Sequence, residues 1–111
     1  MQKQYRIRKN RQFQYVYRKG KSTVAREIVL LYIRAAKLQV GFSVSKKVGN
    51  AVIRNRIKRR LREAFRGYIP DLKPGFYIIA ARTSAAQADF KTINRSLHYL
   101  LNKQHLWKNS P

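Results

Sequence analysis

The stretch SKKVGNAVIRNRIKRRLREAFR, Ser45 to Arg66, carries nine basic residues and one acid. From Ala51 onward Ile53, Ile57, Leu61, Ala64 and Phe65 recur at helical spacing, which predicts a helix over 51–66 with one apolar stripe. Asn55, Lys58, Arg59, Arg62 and Arg66 gather on the opposite face. At about 1.5 Å of rise per residue the helix is about 24 Å long, enough to lie along several phosphates. Lys58, Arg59, Arg60 and Arg62 crowd into five positions, a repulsion that an ordinary solvated helix face would avoid. The clustering favours contact with RNA over bare solvation.

Working outward, strands flank this helix. In Gln39 to Ser45, Val40, Phe42 and Val44 alternate with Gly41, Ser43 and Ser45, so one face is bulky and the other nearly flat. Gly67 and the Pro70 to Gly75 stretch end the helix, and Phe76 to Ala81 (FYIIAA) reads as a strand leading to Arg82. The helix thus joins two apolar strands as a βαβ unit, for which a right-handed crossover is the general expectation. Upstream, Glu27 to Ile33 (EIVLLYI) reads as a buried strand. Asn10 is placed to cap a short helix to Lys19, with Phe13, Val16 and Tyr17 at i, i+3 and i+4 and Gly20 at its end. Asp89 caps a last helix whose Phe90, Ile93, Leu97, Leu100 and Leu101 form the core face. The order α, β, β, with room for one further short strand, then α, β, α, predicts a small single-domain α/β sandwich over 1–111. Gln104 to Pro111 is expected to fray.

Net charge is +22, from 26 basic and 4 acidic side chains. Such an imbalance makes nucleic acid the default partner. No apolar run approaches the roughly 20 residues of a membrane-spanning helix, and Met1 to Lys21 has no signal-peptide apolar stretch. Cysteine is absent, which removes disulfides and thiolate metal sites. A cytoplasmic location is the simplest expectation.

Phosphodiester hydrolysis by a polypeptide usually recruits carboxylates that hold two metal ions, or paired histidines. Glu27, Glu63, Asp71 and Asp89 instead fall on four separate elements. They read as a strand-start charge, a helix ion-pair partner, a turn former and an N-cap. His98 and His105 read as surface or helix-packing residues. No catalytic or metal-ligating set is expected on the chain.

Arg54 and Arg56 can grip phosphates bidentately, whereas Lys46, Lys47 and Lys58 act as point charges. Asn55 carries no charge, so its use lies in hydrogen bonds to RNA or to the turn at Gly49-Asn50. Eight further basic residues precede Ser22. Phe13 and Tyr17 lie one helical turn apart, and Tyr32 sits on the first strand. These rings suit stacking with unpaired bases, and equally suit a core.

The triplet Arg54-Asn55-Arg56, preceded by Lys46, Lys47, Gly49 and Asn50 and followed by Lys58, Arg59, Arg60 and Arg62, resembles the RNR signature of the bacterial ribonuclease P protein family. RIRKNRQFQYVYRKGKS at Arg6 to Ser22 is similar to the family's opening segment, and FYIIAAR at Phe76 to Arg82 to its last strand. The resemblance implies a fold like the second domain of ribosomal protein S5, with the RNR helix in a left-handed crossover. It implies the protein subunit of an RNA-based endonuclease that removes 5′ leaders from precursor tRNA, with Mg²⁺ held mainly by the catalytic RNA subunit. Phe13, Tyr17 and Tyr32 match the cleft for the single-stranded leader, and Arg54, Asn55, Lys58 and Arg62 match leader-proximal and RNA-contacting positions. The remaining basic residues of the helix would face the catalytic RNA, and the protein would enter the holoenzyme as a monomer, away from membranes. Arg26-Glu27-Ile28 departs from the family's more usual polar and aromatic run, which leaves the start of that strand open. The rival readings are a structural ribosomal RNA-binding protein, with penetrating tails and no aromatic cleft, and a nonspecific nucleoid or lipid-binding peptide.

Overall fold

Two helical layers sandwich a four-stranded sheet in residues 3–109, the part of the chain that the computed structural model describes. In chain order the elements are α1 (Asn10–Lys19), β1 (Lys21–Val24), β2 (Ile28–Ile33), β3 (Gln39–Ser43), α2 (Ala51–Arg66), β4 (Phe76–Ala81) and α3 (Phe90–Lys103). The strand order is β1-β2-β4-β3. β1 and β4 both run antiparallel to β2, while β3 is parallel to β4, with Gln39 opposite Phe76 and Ser43 opposite Ala80. Parallel neighbours need a crossover, which α2 supplies, so the expected βαβ unit is present.

The alternation of β2 divides the core. Ile28, Leu30 and Tyr32 join the larger cluster under α2 and α3, while Val29, Leu31 and Ile33 join Val16 of α1 in the smaller one. Ile57, Leu61 and Phe65 from α2 and Ile93, Leu97 and Leu101 from α3 are fully buried. Each such side chain contributes roughly 1.5–3 kcal/mol on burial. This layer therefore fixes where the basic faces of α2 point.

Several expectations need correction. The further strand is β1, which precedes β2 and pairs with it from Lys21 opposite Tyr32 to Val24 opposite Val29. It is a short edge strand with Lys21, Ser22 and Val24 exposed, so it lacks the apolar signal of a buried strand. The second strand ends at Ser43, and the first begins at Ile28. Glu27, read as a strand-start charge, stands immediately before β2 but is buried, and its carboxylate accepts the hydroxyl of Ser96.

Lys9 rather than Asn10 occupies the N-cap of α1. The Gln12 side chain reaches back to accept the Lys9 backbone N–H at 3.4 Å, the half of a capping box that a Gln at that position can make. Gln104 to Asn109, expected to fray, is tied down. The Gln104 amide donates to Thr23 Oγ1 at 2.9 Å and to the Lys21 carbonyl at 3.2 Å. The Lys73 N–H donates to the Leu106 carbonyl and the Lys108 N–H to that of Asp71, each at 2.8 Å. Leu106 is buried. Ser110 and Pro111 lie outside the described residues.

Candidate RNA interface

α2 begins where the sequence indicates. The Asn50 side chain accepts the Ile53 N–H at 3.0 Å, which satisfies one of the free donors of the first turn. Asn50 is thus a cap, and its side chain is occupied by the helix itself. With the apolar stripe packed inward, the polar residues fall into three rows. Arg54, Lys58 and Arg62 follow one another at i+4 along one flank, Arg56 and Arg60 along the other, and Asn55, Arg59 and Arg66 stand on the crest.

The first flank borders a groove. Phe13 of α1, Gly41 and Phe42 of β3, and Lys58 and Arg62 of α2, together with Arg6, line a groove of about 320 Å³ along the β3 edge of the sheet. The Ile7 N–H donates to the Val40 carbonyl at 3.0 Å, so the chain before α1 extends this edge. Gly41 belongs to the flat strand face, and the flatness has a use: a Cβ there would overlap the Phe13 ring. A half-buried aromatic ring beside two cations can accept a stacked base with its phosphates alongside.

The second flank is committed internally. Arg60 Nη1 donates to the Ala88 carbonyl at 2.7 Å and Arg56 Nη2 to that of Ala86 at 3.4 Å, clamping the connection between β4 and α3 onto α2. Arg54 is half-buried, with its Nε enclosed and without a hydrogen-bond partner among the described residues. Lys46 and Lys47 are exposed in a 3₁₀ turn before α2. Arg59 and Asn55 are exposed, and Asn55 makes no contact with the Gly49-Asn50 turn among the described hydrogen bonds.

The three aromatic residues do not converge. Tyr17 is 45% exposed and does not line the groove. Tyr32 points to the other face of the sheet, where its ring packs edge-on to Tyr77 at 4.8 Å and its hydroxyl donates to the Pro74 carbonyl at 2.6 Å. Burial pushes the Tyr32 phenol up from its ordinary pKa, against the nearby Arg34 charge. The even residues of β2 all face the larger core, so Tyr32 cannot share a cleft with Phe13.

A model of the family Ribonuclease P matches residues 1–105. The chain belongs to the ribonuclease P protein family. It is 44% identical over 114 residues to the ribonuclease P protein component of Oceanobacillus iheyensis, covering 99% of this chain and 94% of that one. It is also 44% identical over 115 residues to the component of Listeria innocua, covering 100% and 97%. Among solved structures it is similar to a Staphylococcus aureus RNase P protein mutant with defective mRNA degradation activity, at TM-score 0.88 and 37% identity over 94% of this chain and 91% of that one. A Thermotoga maritima RNase P protein in complex with 1-(4-fluorophenyl)-2-thiourea follows at TM-score 0.80 and 28% identity, over 87% and 97%.

As a ribonuclease P protein, the chain is a subunit of an endoribonuclease of tRNA processing and works with an RNA subunit. That membership displaces the ribosomal and lipid-binding readings. No described helix is long and apolar enough to cross a membrane. Among the described residues no three His, Cys, Asp or Glu side chains gather where they could hold a metal ion. Glu63 pairs with Arg66 at 2.9 Å, and Asp89 caps α3 by accepting the Thr92 N–H at 2.8 Å. That backbone hydrogen bond lowers the Asp89 pKa below the ordinary carboxylate range. Two features escaped the sequence reading. Arg6 reaches the groove from outside any regular element, and Arg56 and Arg60 serve the fold; a basic residue carries no sequence mark of which carbonyl it will find.

Proposed function

We propose that this ribonuclease P protein binds the 5′ leader of precursor tRNA in the groove between α1, the β3 edge and α2. The crest of α2, with Lys46 and Lys47 before it, meets the catalytic RNA subunit. The observation that carries this reading is the placement of Phe13 over Gly41 beside Lys58 and Arg62 in one groove. Phe13 stacks against a leader base, while Lys58, Arg62 and Arg6 neutralise flanking phosphates. Tyr17 extends the aromatic side of α1 along the leader's path, Arg54 contacts RNA at the entry to the same flank, and Asn55 contacts it from the adjoining crest. Tyr32 has no part in it.

Consistent with the absence of a group of three His, Cys, Asp or Glu among the described residues, we assign the Mg²⁺ ion mainly to the RNA subunit and derive no protein step through it. The protein's own contribution is to hold the leader and to reduce repulsion between leader and catalytic RNA, so cleavage proceeds at lower Mg²⁺. It acts as a monomer in the holoenzyme, in the cytoplasm. The test compares cleavage of precursor tRNA by the matching RNA subunit with and without the protein at limiting Mg²⁺. It also compares holoenzyme affinity for precursor and mature tRNA. Acceleration together with tighter binding of the leader-bearing substrate is expected, and RNA-free protein should cleave nothing. Equal affinity for precursor and mature tRNA would sink the groove assignment.

A further inference from the structure

Beyond the end of α2, on the helical side of the molecule, three rings meet at the surface. Tyr68 follows α2, His98 lies on α3, and Trp107 lies past it. Trp107 is 5.5 Å from Tyr68 and 5.3 Å from His98 between ring centroids, and Tyr68 is 5.9 Å from His98. With Asp71, Lys108 and Asn109 they line an open hollow of about 470 Å³, and no residue of the Phe13 groove contributes to it.

The rings are held from behind. Tyr68 donates its hydroxyl to Asn94 Oδ1 at 2.8 Å, and Trp107 donates its indole N–H to Asn102 Oδ1. The two main-chain bonds of the docked tail, Lys73 to Leu106 and Lys108 to Asp71, bracket Trp107. The polar edges of both rings are therefore satisfied within the protein, while His98 remains exposed and Tyr68 and Trp107 half-buried. Leu106 is buried in the core at this end, and Tyr68 and Trp107 pack their inner sides against the same core, which leaves the exposed His98 ring and the outer sides of the other two facing solvent.

We infer that this hollow is a second RNA contact that takes one unpaired nucleotide. Its base stacks on the exposed His98 ring beside Trp107, and its phosphate meets Lys108. Stacking rings interleaved with cations suit single-stranded RNA. The Asp71 carboxylate, one of only four acids in the chain, and the Asn109 amide offer acceptors for base amino and imino donors. A net charge of +22 opposes a second copy of the chain as the occupant and favours a polyanion. The inference rests on this geometry and on family membership, not on the leader assignment.

Trp107 is the sole tryptophan, so its emission reports on the hollow alone. The full chain is titrated with an oligoadenylate hexamer, and separately with inorganic polyphosphate of matching charge. The hexamer should quench Trp107 saturably, and polyphosphate should not. His98→Ala, at an exposed position, should weaken the quenching midpoint about tenfold with the melting temperature unchanged. Phe13→Ala should leave that midpoint in place. Equal quenching by polyphosphate, a midpoint indifferent to His98→Ala, or one that moves with Phe13→Ala would each overturn the inference. Quenching by an acidic peptide instead of the hexamer would assign the hollow to a protein partner and overturn it too.

Discussion

Phe13 packs against Gly41 so closely that any side chain at position 41 would displace its ring. Gly41→Ala should therefore act on the groove through Phe13, by tilting the ring off the β3 edge. Its effect should resemble that of Phe13→Ala, a loss of roughly 1–3 kcal/mol for leader-bearing substrate, the worth of one stacked base. Mature tRNA should bind as before. Paired binding constants for precursor and mature tRNA check this, and parallel losses on both would assign Phe13 to packing alone.

The two flanks of α2 should separate in salt titrations. Lys58→Ala and Arg62→Ala, which open the groove side, should each flatten the log-log dependence of RNA binding on salt by about one unit for every phosphate left without its cation. Arg60→Ala removes a hydrogen bond to the Ala88 carbonyl. It should lower stability by about 1–3 kcal/mol, as expected for a charge-assisted bond, seen as an earlier denaturant midpoint.

Sulfate or phosphate should raise the melting temperature, and low salt should leave the free protein partly unfolded. Net charge is +22, and the sole ion pair among the described residues, Arg66 with Glu63, is exposed. Anions that bind the native state alone stabilise it by mass action. A circular-dichroism transition indifferent to sulfate would contradict this.

The cap of α3 sets a pH dependence. Because the folded pKa of Asp89 is depressed by the Thr92 backbone N–H, its stabilisation is present above the ordinary carboxylate pKa. It is lost as pH falls through the depressed value. Asp89→Asn keeps an acceptor at the cap and should flatten this part of the profile, measured as melting temperature against pH in sulfate.

The sequence declares the elements whose signals are local. The 53-57-61 stripe defines α2, Asp89 defines the start of α3, and the apolar run from Phe76 defines β4, each as observed. What it conceals depends on partners distant in the chain. β1 exists because Lys21–Val24 meets β2, and the side that Tyr32 takes follows from the register of β2 against β4. The basic run gives the charge of the interface but not its division, since Arg56 and Arg60 are turned inward by carbonyls far along the chain, at separations of 30 and 28 positions.

The Gln104 amide reaches the Lys21 carbonyl and the Thr23 hydroxyl across 83 and 81 positions of sequence. During synthesis the outer edge of the sheet therefore waits, its last hydrogen bonds unmade, until residue 104 has left the ribosome. Until then a strongly cationic, unfinished chain sits beside the largest RNA surface in the cell. Early capture by its own RNA subunit would shorten that exposure.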